Sequence, residues 1–129
     1  MENKPLSLLE LNSLVRRSIT SCLPDEYWVQ AELSDVRVNY SGHCYLEFVQ
    51  KDATGNALLA KARGIIWANV FTRLRSYFER ETGQAFVSGL KVLVKVTVDF
   101  HELYGYSLTV VNIDPTYTLG DMVRRRKEI

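Results

Sequence analysis

The sequence predicts a small, mainly β protein with flanking helices, built on a five-stranded barrel. Three observations predict this class: runs in which apolar and polar residues alternate, stretches whose apolar residues recur at helical spacing, and turn residues between them. Because successive strand side chains point to opposite sides of a sheet, alternation gives one face to a core and the other to solvent. At 129 residues, a hydrophobic fraction of 47% is enough for one soluble core.

Two helices are predicted before the last pair of strands. Ser7 and Glu10 have the spacing of a capping box, and leucines at helical spacing follow them until Pro24 ends the pattern. We therefore expect a helix over about residues 7–22 and assign residues 1–24 to a helical extension. A second helix is expected between residues 69 and 83, with an apolar stripe made of Val70, Phe71, Leu74, Tyr77 and Phe78.

Five runs have the alternation or the β-branched composition of strands. In chain order they are EYWVQAELSDVRV, SGHCYLEFVQKD, LLAKARGIIWA, KVLVKVTVDF and YSLTVVNID. On the first three strands, the pattern turns the following residues toward a core: Val29, Ala31, Leu33, Cys44, Leu46, Phe48, Ala62 and Ile66.

The order of these elements matches the OB-fold, a small Greek-key barrel that binds oligonucleotides or oligosaccharides. We expect this barrel over residues 25–116, with the last two strands joined as a hairpin by residues 101–105. Pro115 cannot continue the last strand, and a final helix is expected to begin near Thr118. Residues 117–129 would then start a C-terminal helix or a linker to a further region of a longer protein.

Composition excludes several classes of partner. The 16 Lys and Arg nearly balance the 15 Asp and Glu, so binding to an anionic polymer would need a local patch. Charges interrupt every apolar segment before the roughly 18 residues of a membrane span. Cys22 and Cys44 lack metal-ligand spacing, and nothing has the pattern of a signal peptide. We expect a reduced, cytoplasmic protein with no membrane partner.

Motifs for catalysis and metal binding are absent from the sequence. No phosphate-binding glycine loop, HExxH, paired CxxC or GxSxG occurs. His43 and His101 have no predicted ligands near them, and the acidic residues are spread over turns and helix faces. We therefore expect no catalytic residue, no metal site and no cofactor in this chain.

The outward face of the second and third strands is the candidate binding surface. It mixes aromatic and charged side chains: His43, Tyr45, Glu47, Lys61, Arg63 and Trp67. Single-stranded nucleic acid suits this mixture, because bases stack on aromatic rings while Lys and Arg contact phosphates. The alternative is a face covered by a neighbouring domain, since Glu47 and the modest net charge oppose DNA binding.

Two further features border this surface. Tyr104 and Tyr106 flank Gly105 in the loop between the last two strands, where they would either close over a nucleic acid or pack on the barrel end. The basic run at residues 124–127 would either contact phosphates or form a solvated helix face. The two tyrosines join the candidate binding residues, whereas the basic run does not.

The chain resembles the N-terminal domain of exodeoxyribonuclease VII large subunits. The resemblance rests on LSLLELN, WVQAELSD, SGHCYLEFVQKD and GLKVLVKVTVDFHELYGYSLTVVNIDP followed by LGD, and it covers nearly the whole chain. Cys44 departs from it, because the family generally has an aromatic residue there.

This resemblance implies an OB-fold that holds single-stranded DNA for a nuclease that degrades it to oligonucleotides. It also implies a small helical second subunit bound elsewhere, and a catalytic region beyond residue 129. The face with His43, Tyr45 and Glu47 would then belong to the DNA-binding groove. Two other classes stay open: an OB module that binds protein, and a binder of structured RNA.

Overall fold

The chain, seen in a computed structural model, is described over residues 4–127, with side chains as far as residue 124. Its elements follow in the order α1 (Leu8–Cys22), β1 (Glu26–Val38), β2 (Cys44–Lys51), β3 (Leu58–Ile66), α2 (Ala68–Thr82), β4 (Lys91–His101), β5 (Gly105–Ile113) and α3 (Pro115–Lys127). The predicted succession of five strands, with a helix between the third and the fourth, is confirmed.

The five strands close into a barrel in the order β1-β2-β3-β5-β4. Strand β1 is long enough to pair with two neighbours: its first half is antiparallel to β4 and its second half to β2. The barrel closes through a short parallel contact between β3 and β5, in which Gly64 lies opposite Leu108 and Ile65 opposite Thr109. This contact places β2, β3, β5 and β4 side by side on one outer surface.

The core fills the barrel and extends under α2. The predicted inward residues are buried or packed against it, and they are joined by residues of α2, β4 and β5. Phe71, Leu74 and Phe78 of α2 are buried as predicted, whereas Tyr77 is 38% exposed. Tyr77 lies one position before Phe78, at the edge of the apolar stripe, where its ring contacts the guanidinium of Arg80.

Gly64 lets β3 pass close to the core. A Cβ atom at this position would lie 2.4 Å from Cε2 of the Phe48 ring, which is closer than packed carbon atoms tolerate. The buried Phe48 therefore packs directly against the backbone of β3. Because Gly64 has no side chain, the centre of β3 can lie in contact with the Phe48 ring.

One helix precedes the barrel in the chain and another follows it. The predicted capping box of α1 is confirmed, since the side chains of Ser7 and Glu10 each accept a backbone N–H of the other residue. Helix α3 begins at Pro115, three residues before the predicted start at Thr118. Proline suits the first helical position because the N–H that it lacks has no partner there, and Asp114 Oδ1 accepts the N–H of Thr116.

Candidate nucleic-acid interface

A groove of about 710 Å³ runs over the outer faces of β2, β3, β5 and β4. Its walls combine aromatic, hydroxyl and charged side chains: Tyr45, Arg63, Ile65, Trp67, Asp99, Phe100, His101, Tyr104, Ser107 and Thr109. Register explains the arrangement, because Tyr45 lies opposite Ile65 and Ile65 lies opposite Thr109. Strand alternation therefore brings the outward residues of four strands into one continuous depression.

Trp67 stands at the junction of β3 and α2. It is the residue before α2, has extended backbone and is 47% exposed. His43 holds this junction from the turn before β2: its Nδ1 accepts the N–H of Ala68 at 3.0 Å, and its ring meets the Trp67 ring edge-on at 5.0 Å between centroids. His43 thus supports Trp67 in the groove wall, which strand position alone did not predict.

Arg63 links the floor of the groove to the β4–β5 turn. Its guanidinium donates to the backbone carbonyl of Tyr104 and, at 3.3 Å, to that of Tyr106. Both acceptors are neutral, so the positive charge of Arg63 is retained rather than cancelled by a carboxylate. The exposed Arg63 side chain therefore orders the turn and also supplies charge that can attract a phosphate.

The β4–β5 turn forms the far rim of the groove. Tyr104 is 67% exposed, and its ring stacks on His101 with centroids 4.7 Å apart and an interplanar angle of 29°. His101 Nδ1 accepts the N–H of Leu103 at 3.0 Å, which fixes the imidazole. This aromatic pair thus lines the groove together with Tyr45 and Trp67.

Helix α1 braces this turn through Glu102. The carboxylate accepts from Arg16 Nε at 2.7 Å and from Ser13 Oγ at 3.1 Å, while Asn12 Nδ2 donates to the Glu102 carbonyl at 2.9 Å. The Arg16 hydrogen bond, together with a backbone hydrogen bond, holds the pKa of Glu102 at about 2. The helical extension therefore contributes to the geometry of the groove rim.

Lys61 and Glu47 of the predicted surface do not line the groove, and neither does the neighbouring Tyr106. Lys61 Nζ is 3.3 Å from Glu47 Oε2, so its charge is matched by a carboxylate. Glu47 also accepts from Ser34 Oγ at 2.7 Å, and this hydrogen bond is the main cause of its lowered pKa. Tyr106 lines a separate apolar hollow with Phe48 rather than the groove.

The two tyrosines lie apart: Tyr104 lines the groove, and Tyr106 lines the apolar hollow. In the basic run, Arg124 Nη2 is 3.6 Å from Asp121 Oδ1. The side chains of residues 125–127 are outside the described part of the chain.

The β4 wall of the groove was missed at the level of sequence. Asp99 and Thr109 are hydrogen-bonded to each other across β4 and β5, and both line the groove. Alternation in KVLVKVTVDF does turn Thr97 and Asp99 outward, opposite to the buried valines, and His101 directly after this run continues the outward face. No local sequence pattern predicts the parallel contact of β3 with β5. This contact places the outer face of β4 on the same side of the barrel as Tyr45.

No helix within residues 4–127 is long and apolar enough to cross a membrane. Over the same residues, no three His, Cys, Asp or Glu side chains gather in a way that could hold a metal ion.

Known proteins resemble this chain at the level of sequence and of fold. Residues 6–114 match the family described as OB-fold nucleic acid binding domain. The exodeoxyribonuclease 7 large subunit of Deinococcus radiodurans is 39% identical over 124 residues, which cover 93% of this chain and 29% of that protein. The chain therefore spans less than a third of that relative. The solved N-terminal domain of PriB protein from Thermoanaerobacter tencongensis superposes with a TM-score of 0.46 at 9% identity, covering 70% of this chain and 94% of that one.

Proposed function

We propose, from the premise that the chain belongs to the family of OB-fold nucleic acid binding domains, that its groove binds single-stranded DNA. The observation that carries the proposal is the groove itself: exposed rings of Tyr45, Trp67 and Tyr104 line it together with Arg63, which has no carboxylate ion-pair partner within residues 4–124. Rings of this kind stack on unpaired bases, and the guanidinium contacts the phosphates between them. Stacking and phosphate contacts need no cofactor.

The aromatic rings favour single strands over duplex DNA. In a duplex the base faces are covered by their neighbours, so rings such as Trp67 would find no face to stack on without unstacking the helix. In a single strand each base has a free face. Structured RNA is the competing ligand, because RNA loops also present unstacked bases.

The identity to a nuclease large subunit supports a role within a larger enzyme. We propose that this chain is the DNA-holding domain of an exodeoxyribonuclease that degrades single-stranded DNA to oligonucleotides in the cytoplasm. Its catalytic region and the binding site for a small helical subunit would lie outside these 129 residues. The groove carries one aspartate beside its aromatic residues, which is too few acidic groups for metal-assisted phosphodiester hydrolysis.

A titration of the purified chain with fluorescent oligonucleotides tests this function. We expect binding to single-stranded DNA that weakens with salt, with log K falling by roughly 0.7 per decade of salt for each phosphate contacted. Duplex DNA and structured RNA should compete poorly. Failure to bind any oligonucleotide at low salt would favour a groove covered by protein, and stronger competition by structured RNA would favour the RNA class. The chain alone should leave end-labelled DNA intact, with or without magnesium.

A further inference from the structure

Asp99 is an acidic residue inside a groove that is proposed to bind a polyanion. It projects outward from β4 and lines the groove with Tyr45, Arg63 and Tyr104. Its Oδ2 accepts from Thr109 Oγ1 at 2.6 Å and from Thr97 Oγ1 at 3.1 Å. Two hydroxyl groups from two strands thus fix the orientation of an exposed carboxylate.

Two carboxylates on the neighbouring strands β1 and β2 are neutralised by cations. Asp35 Oδ2 lies 2.9 Å from Arg37 Nε, and Glu47 Oε2 lies 3.3 Å from Lys61 Nζ. Within residues 4–124, Asp99 makes no such ion pair, and both of its side-chain hydrogen bonds fall on Oδ2. Asp99 thus lines the groove with acceptor capacity to spare on Oδ1.

An unpaired carboxylate repels phosphates, so a ligand can approach it only with hydrogen-bond donors. The donors of a nucleic acid are the N–H groups on the edges of its bases. Guanine presents two adjacent donors on its Watson–Crick edge, N1–H and the N2 amino group. Adenine and cytosine present one amino group beside an acceptor nitrogen, and thymine presents one N–H between two carbonyls.

The neighbours of Asp99 supply the stacking surface that such a base needs. His101 lies two residues farther along β4 on the same outward face, where its ring is stacked with Tyr104. A base that stacks on this aromatic pair lies beside Asp99 and turns an edge toward a carboxylate already held by Thr97 and Thr109.

We propose that Asp99 is a specificity-determining residue of the groove, accepting hydrogen bonds from the edge of one bound base and favouring guanine at that position. This inference rests on the proposed function, since it requires that single-stranded DNA occupies the groove. The remaining contacts, made by stacking and by Arg63, are indifferent to sequence.

The test compares three strands: oligothymidine, the same strand with one central guanosine, and the same strand with inosine in that place. Inosine keeps N1–H and lacks the N2 amino group. We expect the 129-residue chain to bind the guanosine strand about 5- to 10-fold more tightly than oligothymidine, the effect of one additional base-edge hydrogen bond to Oδ1, with inosine between them.

Asp99→Asn should abolish this preference and bind oligothymidine at least as well as the parent chain, because a repulsive charge is gone. Glu47→Gln is the matched control, since it removes one charge from the same outer surface and should leave the guanosine preference intact. Thr109→Val provides a second variant, which keeps the Asp99 charge, loosens its orientation and should reduce the preference.

The outcomes separate the two proposals. Equal affinity of the parent chain for all three strands, or an undiminished guanosine preference in Asp99→Asn, overturns the role of Asp99 while leaving single-stranded DNA binding in place. If Asp99→Asn does not fold, an unchanged preference in Thr109→Val overturns it. Failure of the folded parent chain to bind even oligothymidine overturns the proposed function and this inference with it.

Discussion

Two outer faces of the same barrel carry an exposed tryptophan among cationic side chains, yet their electrostatics differ. Trp67 lies at the groove over β2, β3, β5 and β4, and Trp28 lies on β1 at a cleft of about 880 Å³ shared with β4 and α3. The two rings are almost equally exposed, at 47% and 49%. Neither exposure nor the size of the depression therefore distinguishes a binding face.

Charge pairing does distinguish them. Around Trp28, the Nζ atom of each of three lysines lies within 4 Å of a carboxylate oxygen. The distances are 3.2 Å between Lys95 and Glu26, 3.1 Å between Lys51 and Glu32, and 3.8 Å between Lys91 and Asp121. At the groove, Arg63 instead donates to two backbone carbonyls. A phosphate at the Trp28 face would have to displace a carboxylate, whereas a phosphate at Arg63 would not. Two faces of similar composition thus differ in charge pairing: the lysines near Trp28 are paired with carboxylates, whereas Arg63 is bonded to neutral carbonyls.

The largest expected difference between the faces comes from the two tryptophans. Trp67→Ala should weaken single-stranded DNA binding by about 1 to 3 kcal/mol, the typical loss of one base-stacking ring. Trp28→Ala should leave affinity unchanged, because its face is not expected to contact DNA. Fluorescence anisotropy with a labelled oligonucleotide measures both. Equal losses in the two variants would mean that the faces are not distinct.

Folding has to be checked for Trp67→Ala, because Trp67 precedes α2 and meets the His43 ring. Circular dichroism and thermal unfolding should match those of the parent chain, since nearly half of the side chain is exposed. An unfolded variant would place Trp67 among the residues that hold the barrel together and would make the stacking assignment wrong.

The sequence alone predicted the features of the two faces that depend on local patterns. Alternation assigned the facing of Cys44, Phe48 and Arg63 correctly, because a strand's side-chain period is a local property. Trp67 is exposed as expected, but it follows the end of β3 instead of lying on the predicted strand. The capping box of α1 was likewise readable from two residues. Local patterns of this kind were sufficient to predict the five-stranded barrel.

The rest of the site depended on contacts between distant segments. The parallel pairing of β3 with β5 brings Asp99 to the groove, and no local pattern encodes it. The pairing of Lys61 with Glu47, and the position of Tyr106 in the apolar hollow, likewise follow from register and strand position. A sequence shows which residues face outward, whereas the fold decides which outward charges meet.

A pair of charge-removing variants sharpens the electrostatic part of the comparison. Arg63→Met should lower affinity less than Trp67→Ala and should reduce the slope of log K against log salt by about 0.7, the value for one phosphate contact on a single strand. Lys91→Met on the Trp28 face should change neither quantity, since Lys91 is paired with Asp121. Titrations at several salt concentrations give the slopes, and an equal change of slope in both variants would contradict the role of charge pairing.

The smallest expected effect concerns the brace between α1 and the groove rim. Glu102→Gln should reduce binding by less than Arg63→Met, because the turn keeps the Arg63 hydrogen bonds to its carbonyls. Thermal unfolding should also change with pH. The folded-state pKa of Glu102 is lowered from 4.5 to about 2, so its stabilising contribution is complete above pH 4.5 and is lost as the pH falls toward 2.

The pH dependence of thermal unfolding also separates the contribution of Glu102 from those of other acidic groups. The difference in melting temperature between the parent chain and Glu102→Gln should be constant near neutral pH and should shrink between pH 4.5 and 2. A difference that stays the same over that range would show that the Glu102 charge does not stabilise the rim.

Intrinsic fluorescence tests the central claim most directly, because the chain has two tryptophans and one lies on each face. In Trp28→Phe the emission comes from Trp67 alone, and in Trp67→Phe it comes from Trp28 alone. Saturation with oligothymidine should quench the emission of Trp28→Phe, because a stacked base contacts the Trp67 ring, and should leave that of Trp67→Phe unchanged. Quenching of Trp28 with no change at Trp67 would place the DNA on the opposite face and contradict the account.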